Sequence, residues 1–321
     1  MDLLTIGDVS MDLFMKIDEG ADGIADGIND SRGGGTQELS QICFFHGSKI
    51  NASQAKNFVG GNAANVAVGA SMLGLKTAIY TETGNDDNAK KLIAELCAKG
   101  VDTSLCVQNK NSPTNIHTVL VYKNERTIIT HHEKRNYTIQ KWEEPKWIYY
   151  TSIGAGFENF QKDLLSYLKA NVKIGVAFNP GTIQLTNGLA GVKNFLEVTD
   201  ILFVNKDEAY KLVGNNSIDQ THIKLQSYGP KLTVITDGEN GSTAYEGKNF
   251  YKQPCITPPA TVVDKTGEGD AFASGFLSAI FYGRSIKEAL VWASKNAAGK
   301  ITKIGVGTGL LSKKDIEIRR A

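Results

Sequence analysis

Asp264-Lys-Thr-Gly-Glu-Gly-Asp-Ala271 is the stretch on which the prediction of the fold depends. Two glycines, Gly267 and Gly269, form a turn, and an acid, Asp270, stands directly before an apolar segment with helical spacing. The turn is therefore predicted to lie where a helix begins. Backbone N–H groups at a helix start have no intrahelical partner and carry the positive end of the helix dipole. Such a place binds anions, and phosphate above all.

An acid inside an anion site is unfavourable unless it handles a proton. Asp270 is therefore the candidate general base, placed beside a phosphate that is being transferred. The alternative is that Asp270 serves only as the N-cap of the helix.

A second glycine-rich stretch begins with Gly60-Gly61-Asn62-Ala-Ala-Asn65. The paired glycines let another group approach the backbone closely, and Asn62 stands where it could cap the helix that follows. The two stretches, in this order and about 200 residues apart, resemble the paired signatures of the PfkB (ribokinase-like) carbohydrate kinases. The resemblance covers nearly the whole chain and implies a kinase that acts on sugars or nucleosides.

The resemblance also assigns the chemistry of the first stretch. Asp270 would remove the proton from the acceptor hydroxyl, while the backbone N–H groups of Gly267, Glu268 and Gly269 would hold the transferring phosphoryl oxygens. Base and donors would then be consecutive in one rigid turn, which suits stabilisation of a developing charge. Glu268 departs from the family, which most often has a small residue here, so its side chain must point away from the phosphates.

By the same resemblance, the sugar pocket is formed by the first strand and the Gly-Gly helix. Asp12 matches the family acid that accepts hydrogen bonds from sugar hydroxyls, and Gly60, Gly61 and Asn65 match the rest of the pocket. Asp8 is interpreted as a turn or cap residue, although either acid could serve. Four basic residues are expected at a solvated rim or, alternatively, against an acidic substrate: Arg126, His131, His132 and Arg135.

Smaller matches concern the nucleotide. Asn205-Lys-Asp-Glu208 resembles the family's Asn-x-x-Glu element, in which Glu208 would act on Mg²⁺ through water and Asn205 would lie near the phosphates. A capped helix is the alternative for this element. Thr236 and Gly238 resemble the loop that contacts the nucleotide phosphates and ribose. Asn296 falls on the last long helix, where family members contact the base.

The implied ligands are ATP as co-substrate, Mg²⁺ and a monovalent cation. Asp264 and Thr266, together with the loop 305–309, match the monovalent cation site of many relatives, so potassium dependence is a hypothesis. The other expected partner is a small sugar or nucleoside.

Composition excludes some other classes. The chain has 321 residues, 41% of them hydrophobic, and a net charge of +1, so no strong field draws it to nucleic acid or to an acidic membrane surface. No apolar run approaches the roughly 20 residues needed to span a bilayer. The first residues are typical of a strand rather than of a signal peptide. Four scattered cysteines without a CxxC pair indicate reduced thiols in a cytoplasmic protein.

Short apolar runs alternate with amphipathic segments along the chain, which predicts an α/β fold with a doubly wound, mostly parallel sheet flanked by helices. Alternating residues around a tight turn near Lys123 predict a hairpin. With a polar tract from Gly20 to Gly35, interpreted as a mobile loop, the hairpin is expected to form a small β-lid inserted in the core. In the family this lid covers the sugar site and in many members builds a dimer, so a homodimer is expected. The predicted division is a single kinase unit over 1–321, with a core of 1–12, 51–114 and 132–321 and a lid of 13–50 and 115–131.

The predicted function is an ATP-dependent kinase for a hydroxyl of a small sugar of the ribose, fructose or 2-keto-3-deoxygluconate class. A nucleoside kinase or a sugar-phosphate kinase of the same family is the first alternative. A sugar- or nucleotide-sensing protein without turnover is the alternative from another class.

Overall fold

The computed structural model describes residues 1–18, 24–27, 41–123 and 125–318. Its strands are β1 (Leu3–Ile6), β2 (Ser10–Ile17), β3 (Ile24–Gly27), β4 (Gln41–Phe44), β5 (Ala52–Gly60), β6 (Thr77–Gly84), β7 (Val101–Asp102), β8 (Cys106–Asn109), β9 (Ile116–Tyr122), β10 (Glu125–His131), β11 (Trp147–Tyr150), β12 (Gly175–Phe178), β13 (Ile201–Asn205), β14 (Leu232–Thr236), β15 (Ser242–Glu246) and β16 (Asn249–Gln253). Its α-helices are α1 (Asn62–Met72), α2 (Asp87–Ala98), α3 (Phe157–Ala170), α4 (Leu189–Leu196), α5 (Lys206–Val213), α6 (Ile218–Gln226), α7 (Glu268–Phe281), α8 (Ile286–Lys300) and α9 (Lys313–Ile318).

The larger of two compact units comprises Met1–Met11, Val59–Asn115 and His132–Ala321. Its sheet has the strand order β16-β15-β14-β13-β12-β11-β1-β6-β7, with β8 also paired to β6. Neighbours from β14 to β7 are parallel, whereas β15 and β16 extend the edge antiparallel. The predicted doubly wound, mostly parallel sheet is confirmed.

The central strands are apolar because both faces of the sheet are buried. Adjacent residues of β1 point to opposite faces. Leu4 packs in one core cluster with Phe160, and Leu3 packs in another with Phe276. A strand covered on both sides has no polar face, so it appears in the sequence as a continuous apolar run.

Parallel pairing also positions the site. The carboxyl ends of β1, β6, β11, β13 and β14 lie along the same edge of the sheet, which is where α/β proteins bind ligands. Asn205 and Thr236 are the last residues of β13 and β14, and Asp8 follows the end of β1. The residues predicted from distant parts of the sequence thus reach one side of the large unit.

The small unit comprises Asp12–Phe58 and Ile116–His131. Strands β9 and β10 form the predicted hairpin, with Tyr122 opposite Glu125, in a sheet of order β10-β9-β2-β5. Residues 51–58 were predicted in the core but belong to this unit, because β5 pairs with β2. Within the tract from Gly20 to Gly35, only β3 is described, paired with β4; the rest of the predicted mobile loop lies outside the described residues.

Within the described ranges, every helix is too short or too polar to cross a lipid bilayer.

Candidate active site

Asp270 lies in the first turn of α7 and is 6% exposed. The N-cap of this helix is Gly267, so the alternative of Asp270 as the cap residue does not hold. The Asp270 carboxylate accepts a hydrogen bond from the side-chain amide of Asn65, with 2.8 Å between Nδ2 and Oδ2. Asn65 was predicted for the sugar pocket, and the structure places it directly on the candidate base.

Burial raises the pKa of Asp270 to about 7. The hydrogen bond from Asn65 and the positive charge of Lys300 lower this pKa, and the negative charge of Glu208 raises it. A carboxyl group with a pKa close to neutral pH combines a useful ionised fraction with enough basicity to take a proton, which suits a general base.

The turn before α7 was predicted to bind an anion, and its structure differs from that prediction at one residue. Gly267 has the left-handed conformation that favours glycine, with φ of 75°. The amide of Glu268, predicted to bind phosphate, instead donates to the carbonyl of Lys265 at 3.2 Å. The first intrahelical bond runs from Ala271 to Gly267, so the amides of Gly269 and Asp270 are the first-turn donors that lack an intrahelical acceptor.

Helix α1 begins at a second constrained glycine. Gly61 is its N-cap with φ of 102°, and a Cβ atom there would lie 2.5 Å from the carbonyl oxygen of Asp8. The glycine is therefore required by the close approach of the Asp8–Val9 backbone. The prediction that Asn62 caps α1 is wrong, because Asn62 is already inside the helix. Gly60 is the last residue of β5.

Asp8 is the centre of a buried polar cluster. Its Oδ1 accepts a hydrogen bond of 2.6 Å from the hydroxyl of Tyr137. Its Oδ2 lies 3.4 Å from Nδ2 of Asn115 and 3.3 Å from Nδ1 of His132. The interpretation of Asp8 as a turn or cap residue missed this cluster because its partners are more than a hundred positions away in the sequence.

Arg135 supports the same cluster. It is completely buried rather than part of a solvated rim, and its guanidinium donates to the carbonyl of Pro113 and the hydroxyl of Ser112. These bonds fix the segment that leads to Asn115. Arg135 therefore has a structural position beneath the cluster.

Asp12 belongs to the small unit. Its Oδ1 lies 3.4 Å from Nδ1 of His117, and both side chains are largely buried. The contact of Asp12 with sugar hydroxyls stays a prediction.

Asn205 and Glu208 form a reciprocal capping box at the start of α5. The Asn205 amide donates to Oε2 of Glu208, and the Glu208 amide donates to Oδ1 of Asn205, both at 2.9 Å. The capped-helix alternative thus describes the local geometry. Burial raises the pKa of Glu208, and Oε1 is the carboxylate oxygen outside the capping box.

Asn205 and Thr236 are register partners on the parallel strands β13 and β14. Gly238 follows in a 3₁₀ turn with φ of 51°. Lys206 and Asp237 link the same two loops through an ion pair of 3.0 Å. The structure therefore brings the residues predicted for the nucleotide phosphates together.

Asn296 does not fit its predicted contact with the base. It is 0% exposed on α8. Its amide nitrogen donates to the carbonyl of Ala271 at 2.9 Å, and its oxygen accepts from the amide of Leu311 at 3.0 Å. Asn296 therefore joins α7, α8 and the segment after α8, and we leave it out of the nucleotide site.

Asp264 and Thr266 form a turn just before Gly267. The amide and the hydroxyl of Thr266 both donate to Oδ1 of Asp264, at 2.9 and 2.6 Å. The amides of Val263 and Asp264 both donate to the carbonyl of Ile301.

Lys300 was not predicted. It is 4% exposed at the end of α8, and its charge lowers the pKa of Asp270. The sequence around Lys300 did not indicate a role for it. Only the packing of α8 against α7 shows that Lys300 lies beside Gly267.

Among curated proteins, the chain is 25% identical over 290 residues to an ATP-dependent 6-phosphofructokinase of Thermoanaerobacterium thermosaccharolyticum. The alignment covers 84% of this chain and 87% of that protein. It is 28% identical over 249 residues to a fructoselysine 6-kinase of Shigella flexneri, covering 77% of this chain and 90% of that protein. Among solved structures, a ribokinase from Thermotoga maritima superposes with a TM-score of 0.78 and 20% identity, covering 99% of this chain and 98% of that one.

The large mixed sheet, its flanking helices and the small separate sheet define a ribokinase-like α/β fold. Residues 36–313 match the model of the pfkB family of carbohydrate kinases, and the chain belongs to that family. Its homologues are phosphotransferases that act on sugar or nucleoside hydroxyls, so the predicted enzyme class is confirmed.

Proposed function

We propose that this enzyme transfers the terminal phosphoryl group of Mg·ATP to a hydroxyl group of a small sugar, with Asp270 as the general base. One observation carries the proposal. A buried carboxylate with a pKa near neutrality stands in the first turn of a helix in which the amides of Gly269 and Asp270 have no intrahelical acceptor. Base and anion donors are thereby held within one turn of backbone.

The reaction follows from this geometry. The side-chain amide of Asn65 holds the Asp270 carboxylate in place. The carboxylate takes the proton of the acceptor hydroxyl as its oxygen attacks the γ-phosphorus in line, and ADP leaves with the electron pair of the broken P–O bond. The amides of Gly269 and Asp270 donate to the phosphoryl oxygens, where negative charge accumulates.

Asn205, Thr236 and Gly238 are proposed to contact the nucleotide phosphates, and Glu208 to hold Mg²⁺ through a water molecule. The described residues contain no cluster of three or more His, Cys, Asp or Glu side chains that could hold a metal. This fits Mg²⁺, which keeps several of its waters and is bound by few protein carboxylates. When bound, Mg²⁺ neutralises part of the phosphate charge.

On the acceptor side, we keep Asp12, Gly60 and Gly61 as proposed sugar-binding residues, with Asn65 acting through Asp270. The scattered cysteines favour a reducing, cytoplasmic setting for the reaction. Homodimer formation through the small unit is also part of the proposal, and it is supported by apolar side chains exposed on that unit, namely Phe44, Phe45, Ile116, Ile128 and Ile129.

A substrate panel tests the proposal. Purified enzyme is incubated with Mg·ATP and, separately, pentoses, hexoses, sugar acids, sugar phosphates and nucleosides, and products are identified by mass. We expect a gain of one phosphoryl group on a sugar, and no gain with Asp270→Asn. A nucleoside or sugar-phosphate product would replace the proposed substrate class. If sugars or nucleosides bind but no compound of the panel is phosphorylated, the alternative of a sugar- or nucleotide-sensing protein without turnover would be favoured.

A further inference from the structure

Lys300 carries a positive charge into the interior of the large unit. Lysine is rarely buried completely, because desolvation of an ammonium group is costly unless that group has hydrogen-bond partners. Here Nζ of Lys300 donates to the carbonyl of Lys303 at 3.2 Å, just beyond the end of α8. A lysine that only capped the helix could make this bond from the surface, so burial needs a further reason.

The position of the side chain supplies that reason. Cε of Lys300 lies 3.5 Å from the point where a Cβ atom on Gly267 would stand. Nδ2 of Asn65 lies 3.3 Å from the same point and also donates to Asp270. Both the residue that donates to Asp270 and the stem of Lys300 therefore lie close to Gly267, the N-cap of α7.

The turn formed by Asp264 and Thr266 lies against the residue that follows Lys300. The amides of Val263 and Asp264 donate to the carbonyl of Ile301. The Oδ1 atom of Asp264 already accepts two hydrogen bonds from Thr266. The neighbourhood in which the sequence predicts a potassium ion thus contains a covalently attached cation.

We propose that Lys300 is a positioning residue that supplies a fixed positive charge beside the anion-binding turn, in place of the predicted potassium ion. The inference rests on the proposed function. The ammonium group favours the ionised form of Asp270 before transfer and offsets negative charge that gathers at the turn during transfer.

The other charged or titratable groups that act on Asp270 come from different elements. Glu208 on α5 opposes its ionisation, and Tyr149 on β11 stays neutral because burial raises the pKa of its hydroxyl. Lys300 on α8 is the positive charge that acts on Asp270 among the described residues. Removal of that charge should therefore raise the pKa of Asp270.

The first test needs no substrate. The carboxyl ¹³C signal of Asp270, assigned with Asp270→Asn, is titrated in the wild type, Lys300→Met, Lys300→Gln and Lys300→Arg. We expect the pKa of Asp270 to rise by about 1 in the Met and Gln variants and to stay near the wild-type value in the Arg variant. Lys287→Met removes an exposed lysine from the same helix and should leave the titration unchanged. An unchanged titration in both uncharged variants overturns the proposal.

The second test measures turnover and thermal unfolding in potassium chloride and in tetramethylammonium chloride. We expect the wild type to differ by less than about twofold between the salts, with the same midpoint of unfolding. The kcat of Lys300→Met should fall about 10–100-fold, and the acidic limb of its pH profile should move to higher pH. Strong potassium dependence of the wild type would contradict the replacement of potassium. Absence of kinase turnover in the wild type would overturn the proposed function, while the titration would still decide the role of Lys300.

Discussion

Asp270 has to meet two opposing physical demands. The proposed role as general base requires an ionised carboxylate, whereas the buried position of Asp270 disfavours the charge. In the folded protein Asp270 keeps its proton up to a pH of about 7, whereas an unfolded chain would release it near 3.8. The folded state therefore binds more protons between these values, and its stability falls as pH rises through this range. The proposed role of Asp270 as general base accounts for a destabilising group at this position.

Replacing Asp270 by Asn should therefore separate activity from stability. We expect kcat to fall about 10²–10⁴-fold, because the base is lost while the hydrogen bond from Asn65 can be kept. The free energy of unfolding should rise by roughly 2–4 kcal/mol above pH 7, and this gain should vanish near pH 4. Steady-state kinetics and urea unfolding at several pH values measure both effects. A variant that keeps most of its turnover would remove Asp270 from the mechanism.

His222 predicts a separate dependence of stability on pH. It is completely buried, and its Nδ1 and Nε2 lie 2.6 and 2.9 Å from the hydroxyl oxygens of Thr233 and Thr243. Burial lowers its pKa from 6.5 to about 4. Between these pH values the imidazole of His222 is therefore neutral in the folded protein and protonated in the unfolded chain. The contribution of neutral His222 to the free energy of unfolding is fully present above pH 6.5 and is lost as the pH falls towards 4.

We expect His222→Gln to remove this titration while keeping hydrogen-bonding groups. Between pH 8 and pH 5, the stability of the wild type should fall by about 2 kcal/mol more than that of the variant. Urea unfolding over this range is the measurement, and His46→Gln, at an exposed position, is the control. Equal pH dependence in wild type and His222→Gln would show that His222 is not responsible.

At the scale of elements, the start of α1 links the fold to the site. Gly61 lets the helix begin against the backbone of Asp8 and Val9, and Asn65 lies one turn further along. A shift of this helix start would move the amide that holds Asp270. The position of the Asp270 carboxylate therefore depends on the close approach of the two backbones at Gly61.

Gly61→Ala should lower both stability and kcat. A Cβ atom there would lie 2.5 Å from the Asp8 carbonyl, so α1 has to move, and we expect a loss of at least about 2 kcal/mol. Gly247→Ala is the matched control: Gly247 also has a positive φ, of 61°, but has no heavy atom within 4 Å of an added Cβ. The control should lose about 1 kcal/mol and keep its kcat. If Gly61→Ala and Gly247→Ala had equal effects on thermal unfolding and on kcat, the positive φ alone, and not the contact with Asp8, would explain the loss.

At the scale of the whole molecule, the exposed apolar side chains of the small unit lead us to expect self-association. Ile129 on β10, an edge strand of its sheet, is 58% exposed, and four other large apolar side chains of this unit are exposed as well. Apolar edge strands and apolar patches tend to be covered by another chain. A second copy of the same chain is the proposed cover.

Sedimentation velocity at micromolar concentration should show a homodimer that Ile129→Lys converts to monomer. Val172→Lys changes an apolar residue that is 84% exposed in the large unit, and this control should leave the dimer intact. A monomeric wild type at these concentrations, or a dimer unaffected by Ile129→Lys, would contradict the proposed interface.

Much of the fold could be predicted from local sequence. Strands β11 and β14 coincide with short apolar runs and helix α4 with an amphipathic segment, and both patterns are local properties of the sequence. Strand β5 was not predicted: its exposed residues gave no apolar signal, and its pairing with β2 depends on distant chain segments. The hairpin of β15 and β16 was missed in the same way.

The sequence by itself determined the family, the parallel sheet and the turn before α7, because glycines, an acid and an apolar helix in that order specify a local geometry. Only the tertiary structure decided which side chains meet there. Asn65 reaches Asp270 across 205 positions of sequence, Lys300 lies beside Gly267, and Asn296 is completely buried between α7, α8 and the segment after α8. Desolvation and charge–charge interactions depend on such distant neighbours, and they set the pKa that makes Asp270 a candidate base.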